Sequence, residues 1–266
     1  MEQLQTKGDV IQYGDVLAGV GSVTLAGTTM RVHSYCVDGV MIDTGSKSLV
    51  QAMQPYFEQA QYDAVFLTHY HEDHTGNVDV LQNVPVYLHA LSQPKAAYNE
   101  RLPHYRALYW QQPPTFSAQI APATFTSRQH TWDILHTPGH TDDHIALFNR
   151  NMGAVFTGDL FVTPKPRIVL MSENIIDTLA SLKKVQALPF ETMYCAHAGM
   201  LTNGHELLAL KIDFIEQLID RVDTAHKEGY SFDEIVHLLL PKVPPMVTFS
   251  NKEWDASYIV RAILNR

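Results

Sequence analysis

The spacing of apolar and polar residues changes several times along this chain, and the changes outline a layered fold. The first forty residues read as short β-strands: Val10 to Tyr13, Asp15 to Ala18, and a stretch from Met30 to Val37 that mixes Val, Tyr and Cys with polar residues. Glycines at 14, 19, 21, 27 and 39 punctuate them, as in successive hairpins. Val40, Met41 and Ile42 form another strand, which ends in the turn Asp43, Thr44, Gly45, Ser46. Leu49, Val50, Met53, Tyr56 and Phe57 then recur at helical spacing, so residues 47–60 predict a helix with Pro55 inside it. A strand over 64–67, a helix from His74 to about Gln82 and a strand over 86–89 follow. This is the βαβ alternation of an α/β protein.

Residues 99–116 (NERLPHYRALYWQQPPTF) break the pattern and are rich in aromatics and proline. They form either a lid or wall of a pocket, or a plain surface helix with a proline-rich exit; His104, Tyr105, Tyr109 and Trp110 are the residues of interest. Strands are expected again over 132–136, 145–148, 154–156 and 193–195, with a helix over 174–188. The remainder reads as helical. Asn203 with Glu206 looks like a capping box for a helix to about Lys227, Ser231 with Glu234 repeats the device, and residues 252–264 close the chain. With no linker, low-complexity segment or short repeat, the whole of 1–266 reads as one domain, its core over about 10–200 and a helical extension over about 201–266.

Composition narrows the classes. At 45% hydrophobic and 18% charged residues, the chain is an ordinary soluble globular protein. A net charge of -9 argues against nucleic acid as the main partner, because phosphate binding needs a basic face. The two cysteines, Cys36 and Cys195, have no regular spacing, so a disulfide framework is not expected. The polar N-terminus lacks an apolar signal core, and no window approaches the roughly 18 apolar residues of a membrane span. A cytoplasmic protein with a small-molecule substrate and no membrane partner is the expectation.

The candidate chemistry lies at strand ends. The 64–67 strand runs directly into Thr68, His69, Tyr70, His71, Glu72, Asp73 and His74. His69 and His71 share a direction if the period of two persists, and Asp73 and His74 follow once the chain turns. Such a cluster delivers nitrogen and oxygen ligands to one point, as a metal site does. Three later strand ends carry His140 in a Pro-Gly turn, Asp159 behind Gly158, and His197. Imidazole and carboxylate suit zinc, and also manganese or iron. Asp43 by itself reads as an Asx turn or an N-cap as readily as a functional carboxylate.

In combination, the H-x-H-x-D-H core, TPGHTDDH, TGD and AHAG, in that order, with the early IDTGS, resemble the metallo-β-lactamase-fold hydrolases over roughly residues 10–200. The resemblance implies a four-layer αββα sandwich with metals at one edge between the sheets, followed here by additional C-terminal helices. It implies two divalent ions, with zinc expected and manganese or iron as alternatives. His69, His71 and His140 would hold one, Asp73, His74 and His197 the other, and Asp159 would bridge them. Asp73 would also orient the nucleophile as the catalytic carboxylate, and Asp43 would support a ligand. Two such cations lower the pKa of a shared water, giving a bridging hydroxide that attacks a carbonyl or phosphorus near neutral pH.

Departures from subfamilies narrow the substrate. Secreted β-lactamases of this fold usually lack an aspartate where Asp159 stands. Lactonases typically place a tyrosine where this chain has Val162, and flavodiiron reductases a glutamate where it has His71. Glyoxalase II-like thioesterases remain, since His144 completes a GHT-x-x-H pattern. An ester-, thioester- or lactone-like substrate is therefore expected. A phosphodiesterase and a mononuclear iron persulfide dioxygenase-like enzyme are the alternatives. Lys165 and Arg167 are either contacts for an anionic substrate or solvent-facing loop charges, and His144 either supports the ligands or packs in its strand. The C-terminal helices either shape the pocket or support a homodimer.

Overall fold

The computed structural model describes residues 4–25, 27–81, 83–98 and 101–266. Alternation within the strands assigns the layers. Along the two parallel strands that precede the histidine motif, Val40, Ile42, Ala64 and Phe66 point to one side, and Met41, Val65 and Leu67 to the other. Both sides are apolar, so both faces of the sheet must be covered.

Among the described residues the first sheet has seven strands in sequence order: β1 (Gln5–Tyr13), β2 (Val16–Leu25), β3 (Thr28–Val37), β4 (Gly39–Ile42), β5 (Tyr62–Phe66), β6 (Val86–Leu88) and β7 (Gln119–Ile120). The second is built from β8 (Thr124–Thr126), β9 (Thr131–His136), β10 (Ile145–Asn149) and β11 (Ala154–Phe156). After an excursion through β12 (Val169–Leu170) it is completed by β13 (Thr192–Cys195) and β14 (Gly199–Leu201). Its order is β14-β13-β11-β10-β9-β8, with β11 and β13 parallel. β12 pairs instead with β15 (Trp254–Asp255) near the C-terminus.

The sheets meet through Ile42, Phe66, Trp132, Leu147, Phe156 and Tyr194. Helix α1 (Gln54–Gln59) covers the outer face of the first sheet, with Tyr56 fully buried. Short helices α2 (Glu72–Thr75), α3 (Gln93–Ala97) and α4 (His104–Trp110) follow along the chain. The outer face of the second sheet packs against α5 (Ile175–Gln186), α6 (Gly204–Lys227), α7 (Phe232–Leu239) and, beyond α8 (Pro245–Phe249), α9 (Ser257–Leu264). Leu182, Leu208, Ile215 and Ile259 bury the helix side of that layer against Val155 and Met193. Helix, sheet, sheet, helix is the αββα arrangement, with the C-terminal helices enlarging the outer layer. None of the helices is long and apolar enough to cross a membrane, among the described residues.

Several elements differ from expectation. The strands expected over 10–13 and 15–18 are parts of longer ones, joined by a hairpin that pairs Tyr13 with Val16. The helix expected over 47–60 is split into a 3-10 turn, Lys47–Leu49, and α1, with Pro55 in the first turn of the latter, where its missing N–H costs nothing. The helix expected from His74 is broken as well. It becomes α2 and a 3-10 turn, Val78–Val80, because the Asn77 amide donates to Thr44 O and Ser46 O, both at 2.8 Å. Its expected end at Gln82 lies outside the described residues, as do the first two positions of the 99–116 stretch, of which α4 forms the middle. The Ser231–Glu234 capping box is present on α7, whereas Asn203 makes no side-chain cap at the start of α6.

Candidate metal centre

The C-terminal ends of β4, β5, β11 and β13 and the turn between β9 and β10 all open on one edge of the sandwich, and each carries one part of the site. β5 delivers Thr68 and His69, the extended residue His71 starts α2, and Asp73 and His74 lie in that helix's single turn. The β9–β10 turn brings His140. Gly158 lets the chain turn sharply after β11 so that Asp159 reaches the same point. Its φ is +46°, and a Cβ there would stand 2.6 Å from His144 Nε2 and 2.8 Å from Thr68.

Three ring nitrogens converge first. His71 Nδ1 lies 2.9 Å from His69 Nε2 and 3.0 Å from His140 Nε2. On the other side His197 Nε2 is 3.1 Å from Asp159 Oδ2 and 3.5 Å from Asp73 Oδ2, and His74 Nε2 is 3.8 Å from Asp73 Oδ1. Asp159 stands between the two groups: Oδ2 is 3.4 Å from His140 Nε2, and Oδ1 is 3.4 Å from His74 Nε2. His69–His71–His140 and Asp73–His74–His197 thus each form a set of donors able to hold one metal ion, as does His69–His74–Asp159.

The donors fit such ions on two counts. Ligands at 2.0–2.1 Å around one tetrahedral zinc stand about 3.4 Å apart, close to these separations. His74 Nε2 and Asp159 Oδ1 are also buried, face each other, and have no hydrogen-bond partner, an arrangement that a shared cation relieves.

The far sides of His69, His74, His140 and His197 are held. His69 Nδ1 lies 3.1 Å from the Thr68 hydroxyl, which donates to Asp43 Oδ2, so the ring's proton belongs on Nδ1 and its lone pair on Nε2. Asp43 Oδ2 also accepts from His74 Nδ1 at 2.8 Å, and Asp43 Oδ1 accepts the Thr68 N–H at 2.7 Å. His197 Nδ1 donates to Arg31 O, and His140 Nδ1 is 3.4 Å from Glu173. His144 is a support: its Nδ1 meets Thr137 Oγ1 and its Nε2 accepts the Asp159 N–H at 3.2 Å.

Electrostatics separate the rings. Burial, reinforced by neighbouring imidazoles, holds His69 well below the ordinary histidine pKa, and burial with Arg106 does the same to His71. Burial would also lower His197, but Asp159 and Asp73 outweigh it and raise the ring to about 9. Asp43, Asp159 and Asp73 likewise overcome burial and raise His74. Burial would lower His140 as well, but Glu173 and Asp159 outweigh it, so His69 and His71 offer free nitrogen lone pairs while His74, His140 and His197 hold protons that a cation would replace.

Other residues had not been singled out as support for the site. Asp143, from the same TPGHTDDH motif, accepts the Tyr70 N–H at 3.0 Å and the Ser92 hydroxyl, fixing the backbone between His69 and His71. Arg106 of α4 grips Glu72 with two bonds of 2.6 and 2.7 Å and reaches Glu253 at 3.1 Å. From β3, His33 Nδ1 donates to Ala196 O and the Tyr35 hydroxyl to Cys195 O, so both brace the loop that carries His197. Glu72 and Asp143 lie inside motifs that were read; Glu173, Arg106 and the β3 residues carry no local signal.

A cavity of about 970 Å³ lies in front of this edge, lined by His71, Asp73, His140, Asp159 and His197 together with Lys165 and Arg167. Tyr105 and Trp110 also line it, so part of the 99–116 stretch is cavity wall; Tyr109 instead donates to Leu25 O. Val162, a β-branched residue at φ +47°, holds the wall beyond Asp159 in a strained conformation.

The family model of the metallo-beta-lactamase superfamily matches residues 28–197, and the chain belongs to that superfamily. It is 31% identical over 178 residues to a hydroxyacylglutathione hydrolase from Aeromonas hydrophila, covering 64% of this chain and 61% of that one. An atrochrysone carboxyl ACP thioesterase from Aspergillus fumigatus is 25% identical over 73% of this chain and 58% of its own. The chain thus spans about three fifths of the length of these curated relatives. The solved structure of TTHA1623 in a di-iron-bound form superposes with a TM-score of 0.56 at 28% identity, over 70% of this chain and 96% of that one.

Proposed function

We propose that this chain is a metal-dependent hydrolase of esters or thioesters with a two-ion centre. The observation that carries the reading is Asp159, whose two oxygens each lie 3.4 Å from a histidine of a different donor set. His69, His71 and His140 would hold one ion, and Asp73, His74 and His197 the other, with Asp159 shared. Zinc suits these nitrogen and oxygen donors, and the similar structure solved in a di-iron-bound form supports a count of two ions. When bound, the ions would supply a water of lowered pKa and polarise the substrate carbonyl.

The chain's own groups do the rest. Asp73 presents a carboxylate on the cavity and would orient the attacking oxygen. Asp43, Thr68, Glu173 and the Arg31 carbonyl keep the rings aimed, and His144 holds the Asp159 backbone. The relatives that are a hydroxyacylglutathione hydrolase and an ACP thioesterase favour a thioester as the scissile bond.

The test is a panel of a thioester, a lactone, a β-lactam and a phosphodiester given to metal-loaded protein, with metal content measured alongside. At least one should be hydrolysed, and chelation or His71→Ala should lower that rate by more than about a hundredfold. Hydrolysis that survives both treatments rejects the reading; a single iron per chain would point instead to oxidative chemistry.

A further inference from the structure

The cavity in front of the metal edge is wider than a small acyl group needs, and its lining has two characters. Met30, Trp110, Ile168, Met246 and Trp254 supply an apolar wall from five separate segments. Arg31, Lys165, Arg167 and Lys211 line the same space. Arg106 is a fifth lining cation, but it is paired with Glu72 and Glu253; in a chain of net charge -9, the other four call for a reason.

Lys211 is the most informative. It is buried on α6, and its ammonium donates to Leu160 O at 2.8 Å and Phe161 O at 2.5 Å. An ammonium has three N–H donors, so one remains beyond these two carbonyls. Among the described residues no carboxylate pairs with it, in contrast to Arg106, whose charge is met by Glu72 and Glu253. A buried unpaired cation is costly unless something answers it. Arg31, Lys165 and Arg167, at the exposed rim, form no ion pair among the described residues either. The cavity's carboxylates are already engaged. Glu72 meets Arg106, Glu173 accepts the Leu170 N–H and approaches His140, and Asp73 and Asp159 face the histidines.

We propose that the cavity takes an amphiphilic acyl compound: an anionic group, carboxylate or phosphate, held by Lys211 with Lys165 and Arg167, and an apolar portion of several carbons packed on Trp110 and Trp254. Lys211, Met246 and Trp254 lie beyond the residues that the family model matches, so the chain's C-terminal part contributes to a cavity whose Trp110, Lys165 and Arg167 lie within them. The acyl bond rests on the hydrolase reading; the anion site does not.

Calorimetric binding to the zinc-loaded full chain tests it with hydrolysis-inert thioethers. The probes are S-octyl-3-mercaptopropionate, its neutral amide, S-octyl-2-mercaptoethyl phosphate, and the S-ethyl form of the first. One of the two anions should bind at least about tenfold tighter than the amide, and which one identifies the group. Octyl should exceed ethyl by at least about tenfold. Lys165→Ala/Arg167→Ala should cut the anion preference to below about threefold, and so should Lys211→Met where that variant folds.

Binding of neither anion more tightly than the amide overturns the proposal, as does equal binding of octyl and ethyl. A preference unchanged in the rim double variant also overturns it, since the anion would then sit on the metals. Anion preference without hydrolysis of any compound in the panel rejects the catalytic reading alone. Hydrolysis without anion preference rejects this proposal alone.

Discussion

Four of the seven candidate ligands at the metal edge come from six consecutive residues after β5, and the other three lie within a few residues of a strand end. In the cavity wall facing them, Arg106, Lys211 and Trp254 come from α4, α6 and β15, which meet only in the folded molecule, with Glu253 pairing Arg106. At the edge, backbone geometry places each side chain, and a single hydrogen-bond partner then aims most of the rings. In the wall, long-range charged contacts hold pieces that backbone geometry leaves free. The edge should therefore be sensitive in metal affinity, and the wall in stability and substrate choice.

Arg106→Met should give the largest effect on the wall. It leaves Glu72, 2% exposed, as a buried carboxylate stripped of its two-bond partner, and it releases Glu253. Breaking such a pair costs about 3–5 kcal/mol. Urea unfolding should show that loss, and adding Glu72→Gln should recover part of it. Metal content should stay at the wild-type value. Loss of metal in a variant that remains folded would mean that wall and edge are one unit, and the comparison would break.

Asp43→Asn makes the complementary change at the edge. The amide keeps the shape but no longer gives two acceptor oxygens to Thr68 and the His74 Nδ1–H. Loss of an orienting carboxylate typically weakens metal affinity by about 10–100-fold. Competition for zinc against a chromophoric chelator reads this directly. An unchanged affinity would mean that Thr68 alone is enough to aim His74.

The two regions also differ in how far the sequence revealed them. Phe66 and Leu67 on alternate faces of an apolar run marked β5, and each ligand followed such a run by two to seven residues. A short motif therefore carried both the strand and its chemistry. Helix bounds were less legible. Pro55 and Asn77 act through a first-turn position and through bonds to Thr44 and Ser46, and helical spacing reports neither. Asn203 and Glu206 matched a capping pattern, yet no cap formed, because the pattern does not specify the backbone geometry that a cap needs. Glu173, Arg106 and Lys211 were illegible for another reason: each acts on residues at least 30 positions away, and one sequence holds no record of such a contact.

His33 offers the smallest and sharpest check, since it braces the edge from a strand that carries no ligand. Burial lowers its pKa from 6.5 to about 4, although the Ala196 carbonyl opposes this by accepting its Nδ1–H. In the unfolded chain the ring takes a proton near 6.5, and in the folded chain only near 4. The unfolded state therefore binds more protons across that window, and stability falls as pH drops from about 6.5 towards 4, with no further loss from this group below it. By about pH 5.5 the loss should be about 1 kcal/mol relative to pH 7. His33→Asn keeps a donor for Ala196 O and removes the titration. Its unfolding free energy should decline less steeply over this window than that of the wild type. Parallel slopes would assign the acid sensitivity to the ligand histidines themselves, and the brace from β3 would be structurally passive.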